Sequence, residues 1–438
     1  MLKIGYIGLG GRGKNMLKTI LDSFKNVEIA GVCDLRKERA QKGADMVKEV
    51  RGTFPFVTTD SNDIMNMDVD AVMVMTGWEA HIPLCIDAMN HGKPVSVEVG
   101  GAYSIEDCFE LVRTSEKTGV PCMLLENCCY GRYELALLNM VREGLFGDVV
   151  HCEGGYLHDL RREVSYGEVR GHYRQRNYKM RNGENYPTHE LGPIAKFLNI
   201  NRGNRMVKLN SISSRAAGLR DYADREADIL YERLAEQGDE KQKIKIWSEE
   251  YELNEELCET YVKSNDCVYA QGDIVNTIIT CADGSTISLT LDTTLPRPYS
   301  RGLSIRGTRG CYFEDNRSLY IDNEEMEKLH FNWKGQWGNA DEFVNKYNHP
   351  IWQKYAEDAK ASGHDGMDYM VLRAFFEAME NKKPFPIDVY DTASWMCITT
   401  LSEQSIAMGG APVAIPDFTC GKWAMYKKKE SDLEFSLD

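Results

Sequence analysis

Along the first 126 residues, short apolar runs alternate with longer stretches whose apolar positions recur every three or four residues. Lys3 to Ile7, Val27 to Val32, Phe56 to Thr58, Ala71 to Met75, Pro94 to Val97 and Cys122 to Leu125 are too short for helices and read as buried strands. Lys14 to Phe24, Arg36 to Arg51, His81 to His91 and Ile105 to Thr118 carry the helical spacing, and Asn62 to Met67 a single helical turn. Strand and helix in alternation predict a doubly wound parallel sheet with helices on both faces. At Asn127 the grammar changes. After a helix at Tyr133 to Glu143, the runs Val149 to Leu157, Met206 to Ser213, Ile274 to Thr280, Thr286 to Asp292, Leu303 to Gly307 and Cys311 to Glu314 follow, with hairpin signals such as Asp283-Gly284. They predict an open, largely antiparallel sheet. Helices resume at Tyr369 to Glu380 and Asp391 to Met408, and the tail from Lys427 is polar. Residues 221–260, dense in charge and poor in turn formers, read as a solvated helical insertion. The expected organisation is an α/β domain over 1–126 and an α+β domain over 127–438, the second carrying substrate binding and self-association.

The first connection is the most specific feature of the chain. Gly8-Leu9-Gly10-Gly11-Arg12-Gly13 follows one strand and opens a helix, and Asp34 closes the next strand twenty-one residues beyond Gly13. In such a turn Gly8 permits the sharp reversal, Gly10 lets backbone approach a pyrophosphate, and Gly13 lets the helix pack close to its strand. A carboxylate at Asp34 accepts from ribose hydroxyls and repels a 2′-phosphate, which favours NAD over NADP, although Arg36 and Arg39 stand nearby. The first domain is therefore expected to be a Rossmann dinucleotide-binding domain.

Composition narrows the setting. With a formal charge of -15, the chain would be repelled by nucleic acid or an anionic membrane, so neither is an expected partner. The start of the chain has no basic-then-apolar leader, and a cytoplasmic location is expected. The thirteen cysteines interrupt apolar segments and form no Cys-x-x-Cys pair, so they read as reduced core residues, the vicinal Cys128-Cys129 included.

Candidate chemistry gathers at the strand ends of the first domain and in three runs of the second. Thr76, Trp78 and His81, then Glu98 and Val99, then Glu126 and Asn127 stand at the carboxyl ends of successive parallel strands, where such sheets bind ligands. The second domain adds Tyr156 with His158-Asp159-Leu160-Arg161, then Arg174 and Arg176, then Asn185-Tyr186-Pro187-Thr188-His189-Glu190. His189 is the leading acid or base, since its reference pKa lies near neutrality and Pro187 stiffens the turn before it. Residue type alone leaves a structural histidine equally open. Tyr156 and Tyr186 can donate hydrogen bonds or handle protons, and Tyr269 and Pro296 to Arg301 are weaker sugar-contact candidates. No metal is expected, although His158, Asp159 and His189 do not exclude one.

The glycine turn with Asp34, the strand end at Glu98 and a histidine deep in the second domain together resemble the glucose-fructose oxidoreductase and inositol dehydrogenase superfamily. Its dehydrogenases follow the glutamate with Lys-Pro, the lysine helping to hold the reacting hydroxyl; here Val99-Gly100 stand instead. The runs Gly8 to Gly13, Glu98-Val99, Glu126-Asn127, Gly154-Gly155-Tyr156, His158 to Arg161, Tyr186 to His189, Leu191-Gly192-Pro193 and Asn199 to Gly203 more closely resemble the NAD-dependent glycosidases of glycoside hydrolase family 109. That resemblance implies an α-N-acetylgalactosaminidase-like activity. It implies NAD contacts at Gly8, Gly10, Gly11, Arg12, Gly13, Asp34, Thr76, Trp78, His81, Glu98, Val99, Asn127 and Arg174. It also implies substrate contacts at Tyr156, Tyr186, Pro187, Thr188, His189 and Tyr269, with His189, Tyr156 and Tyr186 catalytic. Glu190 stands where many members carry glycine. The expected route is transient oxidation at C3 of the sugar, C1–C2 elimination, addition of water and re-reduction, with no net redox change. The alternatives are an NAD-dependent sugar or polyol dehydrogenase, which would accumulate NADH, and a non-catalytic NAD-sensing regulator. A homo-oligomer acting on a small glycoside or sugar is expected.

Overall fold

A computed structural model of the chain describes residues 1–247, 249–322, 337–426 and 431–438. The first 124 residues build a six-stranded parallel sheet from β1 (Leu2–Ile7), β2 (Val27–Cys33), β3 (Phe56–Thr58), β4 (Ala71–Val74), β5 (Val95–Val97) and β6 (Cys122–Leu124). Their order, β3-β2-β1-β4-β5-β6, reverses between β1 and β4 and so opens a crevice at the carboxyl ends of those two strands. All of β4 is buried, as a strand covered by helices on both faces must be. Helices Gly11–Ser23, Lys37–Arg51, Trp78–Asn90 and Ile105–Thr118 cover the sheet.

The second sheet has eight strands: β7 (Val149–Leu157), β8 (Met206–Ser213), β11 (Ile274–Cys281), β12 (Thr286–Asp292), β13 (Ser304–Gly307), β14 (Gly310–Phe313), β15 (Ser318–Ile321) and β16 (Val413–Ala414). They lie in the order β15-β14-β13-β7-β12-β11-β8-β16, antiparallel except for β7 on β12. Along β11 and β12 burial alternates residue by residue, so one face is a core. That core is completed by the Thr188–Phe197 helix, buried at every position, and by the Val389–Ala407 helix. All thirteen cysteines are free thiols, Cys128 and Cys129 among the buried ones. Among the described residues no helix is long and apolar enough to cross a membrane.

Several elements differ from expectation. Residues 221–260 are not helical throughout: helices Gly218–Glu236 and Glu255–Asn265 flank a hairpin of β9 (Lys243–Ile246) and β10 (Glu249–Glu252). The hairpin follows from Lys243-Ile244-Lys245-Ile246, a period-two pattern that buries both isoleucines, with Leu230, Leu253 and Tyr261, in a small core of its own. Helix Trp78–Asn90 begins three residues before the expected His81, with Gly77 at its cap. Short helices at Arg161–Ser165, Gly167–Arg170, Tyr173–Met180, Ala340–Lys346 and Pro350–Ala359 lack the long periodicity that announces a helix. The polar tail expected from Lys427 lies partly outside the described residues.

Candidate active site

The glycine turn has the dimensions of a phosphate cradle. Gly8 is left-handed at φ 102°, and a Cβ there would lie 2.5 Å from the Met75 carbonyl carbon and oxygen. At Gly13 a Cβ would lie 2.1 Å from the Gly8 carbonyl oxygen, so the Gly11–Ser23 helix can reach its strand only with glycine there. Gly10 and Gly11 have open space instead: the nearest atoms to a Cβ would be Arg39 Nη1 at 3.8 Å and Arg170 Nη2 at 4.0 Å. Two guanidinium groups thus overhang the helix N-terminus, which already favours anions through its unpaired amides. Asp34 accepts hydrogen bonds from the Leu9 amide (2.7 Å) and the Arg36 amide (2.9 Å), and its remaining lone pairs are those a ribose diol would use. The residues present fit a dinucleotide.

Next to the cradle, Arg12 is committed to protein carboxylates. It donates through Nε to Glu98 (2.9 Å) and through both terminal nitrogens to Asp368 (2.6 and 2.8 Å). Asn127 donates to the same Asp368 at 2.8 Å. Burial works against the charge of Asp368, but Arg12 and His364 prevail and hold its carboxyl far below the usual range. Glu98 also accepts from the Val99 amide at 3.1 Å, so Val99 contributes its backbone to this end of the crevice. His81 is buried; its Nε2 lies 3.0 Å from the Thr76 carbonyl, and burial lowers its pKa to about 4, so it is a neutral brace of the β4 end.

Across the crevice a set of rings closes around one guanidinium. Tyr186 lies 5.7 Å from Trp78, 4.3 Å from Tyr156 and, edge-on, 4.8 Å from His189, measured between centroids. Arg174 is stacked over them, 4.9 Å from Trp78 and 5.1 Å from Tyr186, and is paired with Glu163 at 2.8 Å. Its Nη1 and the Trp78 Nε1 are buried without a hydrogen-bond partner, which leaves donors aimed into the cluster. Burial raises the phenols of Tyr156 and Tyr186, against the opposing pull of Arg174, so both stay protonated near neutral pH. His189 Nδ1 sits 2.8 Å from Glu126 Oε1, which also accepts from the Cys128 amide at 3.1 Å. Although burial opposes it, His189 keeps the Glu126 carboxyl below its ordinary pKa, and the carboxylate fixes the proton of a neutral imidazole on Nδ1.

Local packing explains this placement. Pro187 caps the Thr188–Phe197 helix, so Thr188 and His189 are its first two residues. The helix can approach Glu126 because Gly192 faces it; a Cβ there would come within 2.8 Å of Glu126 Cγ. Glu190 is buried behind the site, 3.7 Å from Arg301, and occupies the space that a side chain at Gly154 would fill, since a Cβ there would lie 1.9 Å from Glu190 Cγ. Burial raises its carboxyl well above the ordinary value. Tyr269 belongs to a different network, with its hydroxyl on Asn265. Glu126, Cys128 and His189 have ligand atoms within 4.8 Å of one another, but burial pushes the Cys128 thiol up and the other two groups already serve each other. That is a poor donor set for a cation.

Some residues at this site escape sequence reasoning. Asp368 and Arg170 are brought in by segments remote from the glycine turn, and the run Gly363-His364-Asp365-Gly366 just before Asp368 is the signal that could have drawn attention to it. Glu126 was placed at a strand end without its role against His189.

Comparison with known proteins gives this geometry a lineage. The model of the glycosyl hydrolase 109 C-terminal domain matches residues 130–232 and 249–425, leaving 233–248 outside the match. The oxidoreductase family's NAD-binding Rossmann model matches residues 2–125. An α-N-acetylgalactosaminidase of Tannerella forsythia is 37% identical over 97% of this chain and 87% of its own length. One from Shewanella oneidensis is 34% identical over 97% of this chain and 86% of its own. Among solved structures, a levoglucosan dehydrogenase in complex with NADH and levoglucosan superposes with a TM-score of 0.63 at 15% identity, over 95% of this chain and 100% of that one. A scyllo-inositol dehydrogenase from Lactobacillus casei does so at 0.60 and 13%, over 95% and 99%. At those identities the likeness speaks for the fold.

Proposed function

The chain belongs to glycosyl hydrolase family 109 and is an NAD-dependent glycoside hydrolase; from that premise we propose that it releases N-acetylgalactosamine from α-linked glycosides. The observation that carries this reading is the His189–Glu126 pair, set edge-on beneath Tyr186, which itself packs on Trp78 at the mouth of the NAD crevice. Bound NAD supplies a hydride acceptor and donor for C3 of the sugar, returned within the turnover. The chain's own residues do the rest. His189, with Nδ1 held by Glu126, presents Nε2 as the base of the site, first for the C3 hydroxyl proton released as hydride leaves C3 and, once that proton has passed to solvent, for the proton at C2 of the sugar. The protonated phenols of Tyr156 and Tyr186 donate to the oxygen on C3 as its negative charge develops. Arg174 holds the rings that form the pocket wall, and Arg12, Glu98, Asn127 and Asp368 fix the floor between cradle and pocket.

Turnover in heavy water tests the route. The released sugar should carry deuterium at C2, with no NADH accumulating; retention of hydrogen at C2 would sink the elimination. The same reading has the protein work in the cytoplasm and self-associate, which sedimentation velocity measures directly.

A further inference from the structure

The insertion brings a second aromatic surface to the site, one that the chemistry above leaves unused. Its hairpin is tethered over the crevice: Arg162 donates to the Lys245 carbonyl, and Glu249 lies 3.9 Å from both Lys14 Nζ and Arg170 Nε. At the tip, Trp247 has a left-handed backbone, φ 56°, a region unfavourable for any residue with a Cβ. Glycine or asparagine would relieve that strain, yet the position carries the largest aromatic side chain and leaves it 45% exposed. The ring is 6.4 Å from His158, which is 5.1 Å edge-on from Tyr299 and 5.7 Å from Tyr156. Tyr156 packs on Tyr186 and His189, so the three outer rings continue that aromatic wall outward to the surface, where Tyr299 is exposed as well. Burial lowers the pKa of His158, which favours its uncharged form.

A sugar ring has an apolar face of C–H groups and a rim of hydroxyls. Flat aromatic faces bury the first and leave the second in water. Residues 233–248, Trp247 among them, fall outside the match to the family's C-terminal domain. We infer that Trp247, Tyr299 and His158 form a subsite for a second sugar ring, on the leaving-group side of the cleaved bond. The direction of the subsite rests on the glycosidase reading.

The test compares two probes with the NAD-loaded protein: methyl α-N-acetylgalactosaminide and the disaccharide N-acetylgalactosaminyl-α-1,3-galactose. Trp247→Gly relieves the left-handed backbone and so keeps the fold. Its kcat/KM on the disaccharide should fall about 10- to 100-fold, mostly through KM, while the methyl glycoside changes by less than about threefold. Trp247→Tyr should restore most of the loss. Equal losses on both probes, or none on either, overturn the subsite. If the wild type cleaves neither probe, the glycosidase reading has failed instead. The subsite is then decided by saturation-transfer NMR of the disaccharide: galactose signals present in the wild type and lost in Trp247→Gly support it, and any other pattern overturns it.

Discussion

At the scale of single residues, the site depends on which nitrogen of His189 faces the sugar. Glu126 decides it, because a carboxylate only accepts and so keeps the neutral imidazole's proton on Nδ1. Glu126→Gln preserves the shape but can present a donor to that nitrogen. It should lower kcat about 10²- to 10³-fold with little change in KM, and His189→Ala should cost about 10³-fold or more. Both variants should retain NAD through gel filtration; cofactor lost alongside activity would show that the pair holds up the crevice instead. Tyr156, Tyr186 and His189 stand out in the sequence because their types are chemically active and their runs are distinctive. The reason for Glu190 does not: a buried acid in place of glycine makes sense only once Gly154 is seen opposite, leaving room for it.

At the scale of elements, the glycine turn is a steric device, and it was legible because its spacing alone encodes it. Gly13→Ala puts a Cβ 2.1 Å from the Gly8 carbonyl and must push the Gly11–Ser23 helix off its strand. The purified variant should carry no NAD, measured by its absorbance after gel filtration, and normal NAD content would refute the cradle. Charge density without turn formers reads as helix across the hairpin of β9 and β10, whereas the alternation of Lys243 to Ile246 points to a strand. The helices between Arg161 and Met180 were missed for another reason. They are short, and the Tyr173–Met180 helix buries Arg174, Gln175 and Asn177, so no apolar stripe marks it.

At the scale of the whole molecule, buried ionisable groups shape stability against pH. His81, His172 and His349 are each lowered to about 4 by burial, against about 6.5 when unfolded. The unfolded chain therefore binds more protons between those values, and their contribution is full above pH 6.5 and lost as pH falls toward 4. Glu184, raised by burial to about 8, acts in the opposite sense: its neutral form is native, and stability is lost as pH rises from its unfolded value through 8. Thermal unfolding should accordingly show its highest midpoint near neutral pH. Glu184→Gln should lift the alkaline side by a few degrees and leave the acid side unchanged; an unchanged alkaline side would mean that Glu184 is charged in the native protein.

The bond from Arg12 to Asp368 spans 356 residues, so the fold brings together two parts of the chain that leave the ribosome far apart in time. At about 5–20 residues per second, the interval between them is roughly 20–70 seconds. A nascent first domain would fold with its glycine turn formed but with Arg12 still lacking Asp368 and Asn127 unanchored. The floor beside the cradle is therefore completed only after synthesis of the carboxyl-terminal helices, and premature termination anywhere before residue 368 yields a nucleotide fold that cannot close that floor.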